Sequence, residues 1–131
     1  GTFLFTIQIN DFTKSKKIDD FKVRKNLEWK DVITVIIPAL GEKEYKLQVN
    51  KGDSFEYHWE TNKGVLFFDF HGEPTGDTTG YFKTFKKDIN KKASGSLLTI
   101  FEGTHGWYWK NYNAYPVTIT LKARGEYQRI D

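Results

Sequence analysis

The sequence predicts an all-β domain, an antiparallel β-sandwich of jelly-roll type. Three observations lead there. Aromatic residues make up 17% of the chain, alanine is scarce and methionine is absent; aromatic and β-branched side chains suit the half-buried surface of a strand. Apolar and polar residues alternate with a period of two in one segment after another, which sorts them onto the two faces of a sheet. Turn-forming residues separate these segments at short intervals, as in sandwiches and jelly rolls. With 131 residues, 38% of them hydrophobic and 28% charged, the chain has the length and balance of one globular domain.

The elements follow in order. Residues 1–27 read as an N-terminal flank or edge segment, with 1–10 as a short strand or leftover flank, and residues 28–131 hold the sandwich. "VITVIIP" is a β-branched run that Pro38 ends, since proline cannot donate to a ladder. In "EYKLQVN", Tyr45, Leu47 and Val49 share one face. In "SFEYHWE", Phe55, Tyr57 and Trp59 share one face, with Glu56, His58 and Glu60 on the other. "TNKG" has the chemistry of a hairpin turn. "VLFFDFH" places Leu66, Phe68 and Phe70 opposite Val65, Phe67, Asp69 and His71. Apolar groups on both faces predict a central strand. A long irregular loop is expected from Gly72 to about residue 95, a length that in compact domains usually signals function. "SLLTIFE" is a further strand, Gly103-Thr-His-Gly106 a turn, and "PVTITLKARG" a last strand with Val117, Ile119, Leu121 and Ala123 inward.

Composition removes several functions. The absence of cysteine excludes disulfides, thiolate metal sites and cysteine nucleophiles. A net charge of +3 is read as solubility. "KSKK" at 14–17 and "KTFKKDINKK" at 83–92 are not the concentrated basic stripe that a nucleic acid needs, so no nucleic-acid partner is expected. No run approaches the roughly 18 apolar residues of a membrane span, and no signal peptide is visible. No nucleophile elbow or phosphate-binding loop occurs. No catalytic residue stands out, and the chain does not read as an enzyme.

Two motifs bear chemistry. In "DFHGEP", Asp69 and His71 lie about 6.5–7 Å apart along one strand face, with Glu73 just beyond Gly72. His105 stands in "GTHGWYW". Were His71 and His105 to meet, Asp69 or Glu73 would complete a mixed nitrogen and oxygen set of the kind that holds zinc, copper or nickel. The competing reading is that Asp69 and His71 bond to loop backbone and lock the loop. Trp107 and Trp109 share a face, with Tyr108 on the other. They either fill the core or form a stacking platform for sugars, nucleobases or cations, helped by Lys110 and Asn111. His58 with Glu56 and Glu60 is a secondary candidate, either a surface charge cluster or three ligands on one strand face.

Together, "EYKLQVNKGDSFEYHWETNKGVLFFDFHGEP", "FEGTHGWYWKN" and "VTITLKARGEY" make residues 28–127 resemble a bacterial family of transmembrane anchor proteins of unknown function. More loosely, the pattern is similar to GOLD-type β-sandwiches, which bears on fold alone. The family resemblance implies a domain tethered to a membrane by an N-terminal span and displayed on its periplasmic or extracellular side. The sequence departs from the family in lacking that span, which fits a soluble piece trimmed from its anchor. The resemblance implies no activity; it draws attention to Asp69, His71, Gly72, Glu73, His105, Gly106, Trp107 and Trp109. The expected function is therefore a membrane-tethered binding or sensor domain for a small ligand or metal ion. The alternatives are a carbohydrate- or lipid-binding module built on the tryptophans, or a domain that docks a protein partner through the 72–95 loop.

Overall fold

The computed structural model describes residues 28–131, so the expectations for 1–27 lie outside the described residues. Among the described residues nine strands follow one another: β1 (Asp31–Ile37), β2 (Glu42–Val49), β3 (Ser54–Thr61), β4 (Leu66–Pro74), β5 (Lys83–Asn90), β6 (Lys92–Leu98), β7 (Gly103–Lys110), β8 (Val117–Gly125) and β9 (Gln128–Arg129). Among the described residues no helix is long and apolar enough to cross a membrane.

The strands form two sheets, ordered β1-β8-β3-β6 and β5-β4-β7-β2-β9, with all pairs antiparallel. Strands consecutive in sequence change sheet at every step except β4 to β5. This is the strand order of a jelly roll.

The period-two pattern explains how the sheets face each other. Tyr45, Leu47, Val49, Phe55, Tyr57, Trp59, Leu66, Phe68, Phe70, Trp107, Trp109, Val117, Ile119, Leu121 and Ala123 are all buried, on the faces their alternation assigned. Trp59 of one sheet meets Trp109 of the other edge to face at 5.7 Å between ring centres. Trp107 stacks on Phe70 at 5.1 Å. Such offset and edge contacts add about 0.5–1.5 kcal/mol each to the area that they bury. β4 is the central strand expected, paired with β5 on one side and β7 on the other.

Four local expectations change. The irregular region narrows to residues 75–82, because the lysine-rich stretch folds as β5 and β6. β5 is an edge strand on which Lys83, Lys86 and Lys87 are exposed, a charge pattern that discourages further strand pairing. "TNKG" is no hairpin turn, since it carries the chain from one sheet to the other. The strand placed at 96–102 lies instead at Lys92–Leu98, and Gly103-Thr-His-Gly106 is the start of β7 rather than a turn. Its glycines serve close approach: a Cβ at Gly103 would lie 2.0 Å from the Glu73 carbonyl oxygen, and one at Gly106 would lie 2.0 Å from that of Tyr45.

Candidate functional site

Register decides which candidate residues meet. β4 and β7 pair with Phe70 opposite Trp107, His71 opposite Gly106 and Gly72 opposite His105. Side chains alternate across a strand, so His105 points inward with Trp107 and Trp109. His71 points outward with Asp69 and Glu73. The sheet lies between the two imidazoles, and the expected joint site is not formed. Among the described residues no group of three His, Cys, Asp or Glu side chains is arranged to hold a metal ion, so the zinc, copper or nickel expectation has no ligand set behind it.

His105 is fully buried, stacked against Phe101 at 5.0 Å and Phe85 at 6.1 Å between ring centres. It fits only because residue 72 is glycine, whose Cβ would lie 2.7 Å from the His105 Cδ2. Its Nδ1 is 3.1 Å from the Gly103 carbonyl oxygen. A carbonyl only accepts, so Nδ1 carries the proton and donates. Nε2 has no hydrogen-bond partner among the described residues. Burial lowers the imidazole pKa, against a smaller upward pull from the Gly103 carbonyl.

Trp107 and Trp109 are fully buried, which removes the stacking platform. Their neighbours are equally engaged. The Tyr108 hydroxyl donates to Glu42 Oε1 at 2.7 Å, and that bond pushes its pKa up to about 12. Lys110 Nζ donates to the Leu40 carbonyl at 3.0 Å. Asn111 is a buried staple. Its Nδ2 lies 3.3, 3.0 and 2.8 Å from the carbonyls of Ile37, Pro38 and Tyr115, and its Oδ1 accepts from the Asn113 backbone at 2.8 Å. We expect Asn111→Ala to lower stability by about 2–3 kcal/mol, because several buried groups lose their partner at once; urea unfolding measures it.

The secondary candidate is a surface network on the outer face of the other sheet. His58 Nε2 is 2.8 Å from Glu60 Oε1, and the other ring nitrogen faces Ser94. Glu56 accepts from Arg124 Nε at 2.7 Å, and that guanidinium lies 4.4 Å over the Trp29 ring. His58 and Glu56 therefore turn to different partners, and the triad does not converge.

What the structure does assemble is a polar site on the outer face of β4 and β7. The His71 side chain is 8% exposed. Its Nδ1 lies 3.1 Å from the Asp69 carbonyl oxygen and 3.4 Å from Asp69 Oδ1. Its Nε2 faces Glu73 Oε2 at 3.8 Å. Thr84 donates to Asp69 Oδ1 at 3.0 Å, and Phe82 covers the imidazole edge on at 5.1 Å. The other Glu73 oxygen takes Lys46 Nζ at 3.0 Å and the Thr104 hydroxyl at 3.5 Å. Alongside opens a cleft of about 300 Å³ lined by Glu73, Pro74, Thr75, Asp77, Gly80, Tyr81 and Thr104. Of these only Glu73 was a candidate from sequence. The glycine- and threonine-rich "GEPTGDTTGYF" signalled the loop, but Thr104 and Lys46 reach the site through register, which no local pattern announces.

No protein-family model matches the chain, and no curated protein matches it. Solved structures do resemble it. The crystal structure of PirA is 13% identical, with 76% of this chain and 98% of that one covered at a TM-score of 0.50. The Yersinia pseudotuberculosis-derived mitogen is 15% identical over 77% of this chain and 86% of its own, with a TM-score of 0.49. A de novo designed double-stranded β-helix, solved by solution NMR, is 16% identical over 72% of this chain and all of its own, with a TM-score of 0.44. At such identities PirA bears on the fold alone, and it agrees with an all-β sandwich of jelly-roll type.

Proposed function

We propose that the chain is a binding or sensor domain, tethered to a membrane on its extracytoplasmic side, that takes a small polar ligand in the cleft beside Glu73. One observation supports this above others. A nearly buried imidazole stands between two carboxylates, one of which, Glu73, lines a polar cleft that two strands and the 75–82 loop build together. Small-ligand sites have this form: a concavity with a few convergent polar groups held on rigid strands. The membrane tether and the location rest on the resemblance to transmembrane anchor proteins.

A backbone-amide NMR titration with a panel of small polar molecules tests the cleft. Shifts gathered on Glu73, Thr75, Asp77, Tyr81 and Thr104 are expected, and lost in Thr104→Trp. Shifts gathered on the opposite sheet would remove this reading. Tyr81 is 53% exposed and Phe82 is 48% exposed, which favours a second reading, a protein partner docking on the loop. In that case Tyr81→Ala would abolish partner binding while small-ligand shifts persist.

A further inference from the structure

We propose that a second cleft, between the β3–β4 connection and the β5–β6 link, binds a phosphate monoester; it is independent of the cleft beside Glu73. The starting point is the distribution of charge. Over residues 28–131 basic and acidic side chains balance in number. Yet the run 83–92 carries Lys83, Lys86, Lys87, Lys91 and Lys92 against Asp88 alone, all of them exposed. Lysines on β5 protect a sheet edge. That reason does not reach Lys91, which links β5 to β6, or Lys63, on the connection that carries the chain between sheets. These two and Lys92 line one cleft of about 500 Å³, together with Glu60, Thr61, Asn62 and Gly64.

The walls of this cleft are fixed. The Thr61 amide donates to the Lys91 carbonyl at 2.9 Å, and the Asn62 amide to the Thr118 carbonyl at 2.9 Å. Asn62 Oδ1 accepts in turn from the Thr118 amide at 2.9 Å, and Asn113 Nδ2 holds the Val65 carbonyl at 2.9 Å. Lys63 Nζ rests over the Tyr115 ring at 4.3 Å, a contact that places the ammonium without giving it an acceptor. Among the described residues the Lys63, Lys91 and Lys92 ammoniums make no hydrogen bond or ion pair. The one carboxylate, Glu60, is engaged by His58 Nε2 at 2.8 Å. Three ammoniums against one carboxylate leave an excess of two positive charges. A phosphate monoester carries about −1.5 to −2 near neutral pH and has three acceptor oxygens, and lysine meets phosphate as a point charge. A carboxylate or a sulfate ester brings one charge only, and a cation is repelled. The volume lies within the range of small-ligand clefts.

The test is a titration of the folded, nitrogen-15-labelled chain with glycerol 3-phosphate, methyl sulfate and sodium chloride at matched ionic strength. Glycerol 3-phosphate should shift the amides of Asn62, Lys63, Gly64, Lys91 and Lys92 with saturation, and methyl sulfate should bind more weakly. Lys63→Ala and Lys91→Ala, checked for an unchanged melting temperature, should each weaken phosphate binding about two- to fivefold, as exposed charge pairs do. The triple variant Lys63→Ala/Lys91→Ala/Lys92→Ala should lose saturation. Lys83→Ala/Lys86→Ala/Lys87→Ala removes as much charge from the same flank outside the cleft and should leave the affinity within about twofold. Vesicles of phosphatidylcholine with phosphatidic acid separate the sources of the group. Cosedimentation that the cleft variant loses assigns it to a lipid headgroup, and shifts with glycerol 3-phosphate alone assign it to a soluble ester. Equal shifts from methyl sulfate or chloride, or equal losses in the two triple variants, would overturn the site in favour of a general positive field. No saturable shift with glycerol 3-phosphate and no cosedimentation would overturn it outright, and neither result touches the cleft beside Glu73.

Discussion

Gly106→Ala should abolish the fold. The added Cβ would stand 2.0 Å from the Tyr45 carbonyl oxygen and 2.7 Å from the Lys46 Cα, and both are backbone atoms of the neighbouring strand. Gly106 pairs with Lys46 on one side and His71 on the other, so β7 cannot move away from one partner without disturbing the second. Overlaps of this kind belong to the rare substitutions that cost more than about 4–5 kcal/mol, a large share of the 5–15 kcal/mol that holds a typical domain together. Circular dichroism should show no cooperative melting. Gly76→Ala is the control. Its Cβ meets nothing within 4 Å, though φ is +82°, so only the left-handed strain of about 1–2 kcal/mol applies. Equal melting temperatures for Gly106→Ala and the parent chain would refute the steric reading.

The second large effect is acid lability through His105. Desolvation is the principal cause of its lowered pKa, so the folded state favours the neutral ring more than the unfolded chain does. Above the unfolded value of about 6.5 both states are neutral and the full stability is present. As pH falls below that value the unfolded chain takes up a proton that the folded chain resists. Stability then drops by up to about 1.4 kcal/mol per pH unit until the folded-state pKa is reached. Urea unfolding at pH 7.5, 6.0 and 5.0 should show a progressive loss. His105→Phe, which keeps a flat ring between Phe85 and Phe101, should flatten the profile over this window. If both proteins lose stability in parallel between pH 6.5 and 5, the buried imidazole is not the cause.

The two effects show what a single sequence discloses. Strands such as β2, β3 and β8 were legible because each carries a strict alternation whose apolar half is buried. The core was legible for the same reason, down to Trp59, Trp107 and Trp109 sharing it. β5 was hidden because an edge strand with lysines on both faces has no apolar period to read. Gly103 and Gly106 suggested a turn because glycine signals a bend and a close strand contact alike; only the carbonyls of Glu73 and Tyr45 tell the two apart. The site was half legible. Asp69, His71 and Glu73 share a face as their spacing required. His105 was assigned to them by motif, yet a one-residue offset in the β4–β7 register sends it to the other side of the sheet. Lys46, Asp77, Tyr81 and Thr104 come from three separate stretches of chain, and no local spacing connects them.

The strand order also governs how the chain reaches this state. In the sheet that holds β1, the outermost pairing joins Asp31 to Ala123, close to the two ends of the described chain. Among the described strands only β4 and β5 are both consecutive in sequence and paired in a sheet. That hairpin can close within about 1–10 μs, whereas every other ladder must first bring remote segments together and bear the loop-closure entropy. Folding should therefore fall in the millisecond-to-second range of non-local β proteins. In that interval the hairpin bearing Asp69, His71 and Glu73 is formed before β7 arrives to supply Thr104, so the polar site is completed late, by the docking of one strand.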